Sequence, residues 1–517
     1  MTLFEIVIGL LVAGALLTGW ARRLGAPYPA FLALAGAGLA LVPSAPTLSL
    51  APQLVLVLFV APVLMDAAFD ASPRDMREYW RPIITGAVIA VLLTVAAVAL
   101  VARWLVPDMP WPVAITLGAI VAPPDAAAAS AVLRTLRPPR RITVVLEGES
   151  MLNDATALLV YRVAATAALG SWTGWPEAPG LALSILGGVA LGAGFGLLVP
   201  RALNLIDDVP TSVILQFFSV FALWTVADRL ALSPVIATVS YAITLARIVP
   251  GLTGARRRIQ SYAVWEVAVF VLNVLAFIIT GLQLRPILAG LPDWRHYAAF
   301  AGAVLLAVIM TRIVWVACYN TVARWRDRRY GVWKSGVATP PTIGSGVTIA
   351  WCGMRGIITL ATALALPEGP DGFPYRSLIL FSAFITVLGT LVLQGLTLRP
   401  LMRLLHLAAD GVVEREIRFA RSRTARAALE SLADYQGPFA DALRAEFGAR
   451  MLPVEEGDAD AAASVALPVE PRRRALAAER ETLLALRRQD AIGDDAFHAV
   501  EAELDWHEMY VDGRLDL

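Results

Sequence analysis

Between residues 3 and 403 the chain alternates long apolar runs with short breaks that are polar or contain Pro and Gly. Most of the runs approach or exceed the roughly 20 residues that an α-helix needs to cross a bilayer core. The pattern predicts thirteen transmembrane helices, over 3–20, 28–43, 48–69, 82–106, 112–135, 142–168, 178–203, 209–230, 234–249, 262–284, 297–323, 343–366 and 375–403. The first run begins Met-Thr-Leu-Phe-Glu, and Arg22 and Arg23 follow it rather than precede it, so it reads as a retained helix and not as a secretion signal. Beyond residue 405 the periodicity becomes that of soluble helices, as in F-A-R-S-R-T-A-R-A-A-L-E-S-L-A from 419 and E-R-E-T-L-L-A-L-R-R from 479. The acidic stretch V-E-E-G-D-A-D-A-A-A-S at 454–464 reads as a flexible linker between them. The predicted architecture is an all-α polytopic membrane protein, with a transmembrane domain over 1–405 and a small acidic helical tail over 406–517.

Composition agrees, since 58% of the residues are hydrophobic and 16% charged. Soluble domains carry about 25% charged residues, so a pair of ordinary globular domains is excluded. The formal net charge of +1 hides two regimes: residues 1–409 hold 29 basic and 19 acidic side chains, residues 410–517 hold 14 and 23. Of the basic residues, Lys334 alone is Lys, a bias with no functional content, and no nucleic-acid partner is expected. Cys318 and Cys352 lie far apart in apolar stretches and indicate neither a disulfide framework nor a metal cluster. Loops after the odd-numbered helices carry nineteen basic residues against five on the other side. Positively charged loops stay in the cytoplasm, which puts the N-terminus outside and the tail inside, as an odd helix number requires.

Three clusters interrupt the apolar body, and ionisable groups at membrane depth are functional candidates by default. In G-A-I-V-A-P-P-D-A-A-A-A-S at 118–130, Pro123 and Pro124 donate no N–H, so the carbonyls of Ala119 and Ile120 lose their helical partners next to Asp125. Freed carbonyls beside a carboxylate suit a cation, although a plain kink with Asp125 as a cap gives the same letters. In E-G-E-S-M-L-N-D at 147–154, helical spacing sets Glu147, Ser150 and Asp154 on one stripe and Glu149, Asn153 and Thr156 on the next. A buried carboxylate that must be neutralised by either a proton or a cation is, mechanically, an exchanger. In I-A-W-C-G-M-R-G-I-I-T-L-A-T-A-L at 349–364, Arg355 sits deep in an apolar span between Gly353 and Gly356 and calls for a carboxylate partner, for which Glu149 is the candidate. The two broken helices stand seven elements apart, the offset of inverted repeats in which helices 1–6 and 8–13 correspond.

The runs E-G-E-S-M-L-N-D-A-T-A-L and W-C-G-M-R-G-I-I-T-L-A-T-A-L-A-L-P, together with the P-D of the fifth helix, resemble the monovalent cation:proton antiporter family in its NhaP-like sodium/proton exchanger branch. Weaker matches, such as P-V-L-M-D-A-A-F-D with W-R-P-I at 62–84 and L-V-L-Q-G-L-T-L at 391–398, extend the resemblance over roughly residues 5–405. It implies that Asp154 carries the cation and the proton, with Asn153 beside it, Ser150 among the cation ligands, and Asp125 and Pro124 at the crossing of the broken helices. It further implies a structural ion pair of Glu149 with Arg355, a homodimer in the cell membrane, alternating access by one bundle moving against another, and electroneutral exchange. The transported ion is expected to be Na⁺, with Li⁺ or K⁺ as alternatives, and no cofactor is expected. Where relatives have Thr-Asp-Pro this chain has Pro124-Asp125-Ala126, so a hydroxyl ligand is missing.

A channel or an organic-anion transporter on a similar scaffold is the competing reading, and it would favour positive side chains near the breaks. An intramembrane enzyme has no supporting Ser/His/Asp or His-rich pattern. Asp66, Glu266 and Arg312 are read as structural or interfacial, with gating of a cytoplasmic funnel as the alternative for Asp66, Asn273 as an interhelical hydrogen-bonding residue, and His498 with His507 as no metal site. The tail is read as a solvated structural element, with pH sensing as the alternative.

Overall fold

A computed structural model describes residues 3–24, 26–43, 51–125, 128–130, 133, 138–170, 178–206, 208–289, 291, 294–330, 342–369, 372–407, 410–449 and 469–512. Every regular element among them is helical. The body contains α1 (Leu3–Leu24), α2 (Tyr28–Ala40), α3 (Gln53–Asp70), α4 (Trp80–Leu105), α5 (Trp111–Val121), α6 (Arg140–Ala168), α7 (Ala178–Leu203), α8 (Val209–Arg229), α9 (Pro234–Leu252), α10 (Ala255–Leu282), α11 (Trp294–Tyr330), α12a (Ile343–Trp351) with α12b (Ile357–Leu364), and α13 (Arg376–Leu404). All thirteen expected spans are present, the fifth and twelfth as broken segments. Among the described residues nine helices are long and apolar enough to cross a membrane unaided. The acidic linker at 454–464, Ala126, Arg134, Arg137 and Lys334 lie outside the described residues.

Local chemistry sets the helix starts. Asp208 caps α8 by accepting from the Thr211 N–H, Ser233 caps α9 by accepting from the Ile236 N–H, and Thr342 with Ser345 closes a reciprocal capping box on α12a. Pro at the first or second position of α8 and α9 costs no hydrogen bond there, because those N–H groups have no intrahelical acceptor.

The helices form two bundles. One holds α4, α5, α6, α11, α12 and α13; the other holds α1, α2, α3 and α7 to α10. The repeat read from punctuation alone is visible in the packing. Here α2 lies on α10 and the corresponding α9 lies on α3, α1 lies on α10 as α8 does on α3, and α2 meets α13 across the bundles as α9 meets α6. Close approach at the α2–α10 crossing needs glycine on both sides. A Cβ on Gly36 would overlap the Ile278 carbonyl, and one on Gly281 the Ala33 carbonyl.

The tail comprises α14 (Val412–Ser431), α15 (Pro438–Ala449), α16 (Val469–Arg488) and α17 (Asp494–Asp512). It is more than a solvated appendage: Ala420, Leu483, Phe497, Val500 and Leu504 bury an apolar core of their own, and α17 packs on α10.

Gly281→Ala is expected to lower thermal stability in detergent by about 1–3 kcal/mol, the cost of overpacking against backbone that cannot turn aside. Gly302→Ala is the control, since a Cβ there meets nothing within 4 Å; thermal unfolding of both variants checks the contrast.

Candidate ion-binding site

The site begins where two helices stop. After α5 ends at Val121, residues Ala122 to Asp125 are extended or irregular, and helix resumes at 128–130. After α12a ends at Trp351, Cys352 forms a turn and residues Gly353 to Gly356 leave the helix before α12b starts at Ile357. Proline enforces the first interruption and glycine permits the second.

The two interruptions meet. The backbone N–H of Asp125 donates to the Met354 carbonyl at 2.7 Å, and the Asp125 carboxylate lies so close to Gly356 that any side chain there would overlap its Oδ2. Diverting that N–H takes away the donor that the Val121 carbonyl would have had in a continuous helix. Arg355 supplies replacements: its Nε donates to the Val121 carbonyl at 3.0 Å, its Nη2 to the Ala122 carbonyl at 3.1 Å, and its Nη1 to the Gly353 carbonyl. The Arg355 backbone N–H donates to Thr390 Oγ1 of α13 at 3.0 Å.

The carboxylate-bearing helix α6 runs past this crossing. Asn153 and Asp154 are both buried, and Asn153 Nδ2 donates to the Pro124 carbonyl at 3.0 Å. The Asn153 Oδ1 is buried with no protein donor among the described residues. Ser150 lies one turn before Asp154 and is half-buried, as is Glu147. The structure thus brings together Pro124, Asp125, Asn153 and Asp154, with Ser150 on the adjoining turn. The helix after each break pins it with a polar side chain, Asn153 on the Pro124 carbonyl and Thr390 on the Arg355 N–H.

The expected pair of Glu149 with Arg355 is not the one formed. Glu149 binds Arg312 of α11 in a bidentate arrangement, Nη1 to Oε1 at 2.5 Å and Nη2 to Oε2 at 3.1 Å, while Arg312 Nε donates to the Ile349 carbonyl at 3.3 Å. Both side chains are almost fully buried. Three donor contacts to backbone occupy the Arg355 guanidinium, and α11 presents Arg312 directly to Glu149. Gly86, within a π-helical turn of α4 at Thr85–Ala90, leaves room for the Glu149 carboxylate, and Gly353 leaves room for the Arg312 stem. The sequence signal for Arg312 is its place ten or more residues inside an apolar run, which is compatible with a structural or an interfacial role.

A cavity of about 180 Å³ between the two bundles is lined by Leu56, Ala155, Tyr161, Trp224 and Thr362, and so reaches the residue next to Asp154. Arg162 of α6 and Asp228 of α8, 4.0 Å apart, also line it, one from each bundle.

Comparison with known proteins identifies the family. The sequence profile of the family described as sodium/hydrogen exchanger, transmembrane, matches residues 10–404. An uncharacterized Na⁺/H⁺ exchanger of Mycobacterium tuberculosis is 31% identical, over 98% of this chain and 95% of its own length. A sodium, potassium, lithium and rubidium/H⁺ antiporter of Bacillus pumilus is 29% identical over 78% of this chain and 62% of its own length. The structure of the sodium proton antiporter MjNhaP1 from Methanocaldococcus jannaschii shares the fold, with a TM-score of 0.61 at 18% identity, covering 78% of this chain and 98% of that one.

Removing one member of the Glu149–Arg312 pair leaves an uncompensated charge in the bundle. Arg312→Met is expected to destabilise by about 3–5 kcal/mol, and the double variant Arg312→Met with Glu149→Leu to recover much of the loss. A double-mutant cycle of thermal unfolding checks this, and equal, additive losses would refute the pairing.

Proposed function

This chain belongs to the sodium/hydrogen exchanger family, and from that premise we propose that it is an electroneutral antiporter in which Asp154 alternately carries a monovalent cation and a proton. Exchange of cations for protons is the family's activity; the residues and the stoichiometry are the proposal. The observation that carries it is the buried Asn153–Asp154 pair held against the crossing of two broken helices. A carboxylate in that setting is stable only when neutralised, and either ion does so. One mobile carboxylate with an amide beside it moves one positive charge in each direction, which makes the exchange one for one.

Na⁺ is the proposed substrate, with K⁺ and Li⁺ as further candidates, and the breadth of ions named for the Bacillus pumilus relative supports that range. In place of the missing Thr hydroxyl, Asn153 Oδ1 is the proposed acceptor, together with Asp125 and Ser150, since it is buried without a protein donor. An organic anion finds no equivalent support, because the nearby Arg355 already serves backbone carbonyls. The proposed cycle moves the bundle that contains α6 against the bundle that contains α9 and needs no cofactor. The proposed assembly is a homodimer in the cell membrane with its N-terminus outside and its tail in the cytoplasm.

In acid-loaded vesicles, Na⁺ should dequench a pH dye, and Asp154→Ala should abolish the signal at equal protein insertion. Full exchange by Asp154→Ala would sink the assignment. If transport is electroneutral, an imposed K⁺/valinomycin potential leaves the initial rate unchanged, and a rate that follows the potential would overturn the one-for-one stoichiometry.

A further inference from the structure

The tail is fastened to the membrane body at two separate places. At one, Arg140, the first residue of α6, pairs with Glu416 of α14 at 2.9 Å and with Asp75 at 2.5 Å, and its backbone N–H donates to Asp410 Oδ2 at 3.1 Å. Glu416 also binds Arg74 at 2.9 Å and accepts from the Gly493 N–H at 2.9 Å. At the other, Arg258 of α10, only 2% exposed, binds Asp505 of α17 through Nε at 3.0 Å and Nη2 at 2.5 Å, and Glu501 lies 3.5 Å from it. Tyr262 donates to Glu501 at 3.4 Å, Arg487 donates to the Ala246 carbonyl of α9 at 2.9 Å, and His498 stacks on Phe69 of α3.

The two anchorages are on different bundles: α6 belongs to the bundle with the broken helices, whereas α3, α9 and α10 belong to the other. Between them α14 and α17 are joined through a shared apolar core of Ala420, Phe497, Val500 and Leu504, and Arg421 pairs with Glu503 across the same two helices. The link is therefore continuous from the N-terminus of α6 to α10. Isolated surface pairs contribute little, but Arg258, Glu501 and Asp505 are nearly fully buried, and separating buried charges is costly.

We propose that the tail is a strap that ties the two bundles together and slows their relative movement, so that undocking it speeds exchange. The proposal rests on the alternating-bundle reading above. A bundle that shifts against its neighbour must strain or release one anchorage, and the arrangement seen here is the one that both anchorages favour. The same contacts would be neutral to transport if the tail travelled with one bundle alone.

The test uses the full chain in proteoliposomes, with Asp505→Asn/Glu501→Gln at the α10 anchorage and Glu416→Gln at the α6 anchorage. Backbone hydrogen exchange over 494–512 and 412–431 reads undocking, and dye-monitored exchange reads turnover. The expected result is faster hydrogen exchange in the tail and a severalfold higher maximal rate at either anchorage, with the KM for Na⁺ unchanged and all activity still lost on adding Asp154→Ala. Faster hydrogen exchange with an unchanged or lower rate in both variants overturns the strap. Absence of cation exchange in the unaltered protein counts against the antiport reading instead; the strap is then judged by whether loosening 494–512 also loosens 412–431, and independent loosening overturns it.

Discussion

Everything at the centre of this molecule depends on keeping backbone hydrogen bonds satisfied where two helices are interrupted inside a bilayer. Water is not there to take up the freed groups, so irregular backbone survives at that depth only if protein supplies partners. Arg355 is the principal supplier. Its guanidinium gathers carbonyls from both interruptions, Val121 and Ala122 on one side and Gly353 on the other. The Asp125 N–H returns a bond from the first interruption to the second. The crossing is thereby a closed hydrogen-bonded unit, and Asp154 sits beside a rigid scaffold instead of a flexible loop.

The second constraint is the separation of duties between two arginines. An Arg at mid-membrane cannot shed its proton, so its charge must be met. Arg312 meets Glu149 in a two-bond fork, which ties α6 to α11 one turn before Asn153. Arg355 is met by the carbonyl dipoles of Val121, Ala122 and Gly353 instead of a carboxylate. Exchanging the partners, with Glu149 on Arg355, would leave Arg312 buried without a carboxylate and the end of α5 without donors.

The thirteen spans were legible because the bilayer imposes one rule on every helix, and residue composition obeys it directly. The breaks were legible too, since Pro123–Pro124 and Gly353/Gly356 act through local backbone chemistry. The α6 cluster was legible as a set of residue types, and in the structure Asn153 meets the carbonyl of Pro124, the residue before Asp125. Partner choice was not legible. Two buried Arg residues and one buried Glu satisfy the same sequence pattern in either pairing, and only the crossing of α5, which presents its carbonyls to Arg355, decides between them. The π-helical turn around Gly86 and the docking of the tail were hidden for the same reason: amphipathic spacing in α14 and α17 shows that a face is covered, not what covers it.

The position of α6 connects these features. It carries Arg140 at its first position and Asp154 fourteen residues later, about 21 Å along the axis at about 1.5 Å per residue. It contains no proline, and its hydrogen-bonded core extends across the whole distance. A helix of that kind moves as a rod. The tail grips one end through Glu416 and Asp410, Arg312 grips the middle through Glu149, and Asn153 touches the crossing at Pro124. A rigid displacement of the Asn153–Asp154 turn would therefore be carried to the Arg140 end, where Glu416 and Asp410 contact it. The charge asymmetry of the chain has a counterpart in this geometry: acidic side chains of the tail meet Arg74, Arg140 and Arg258 on the body.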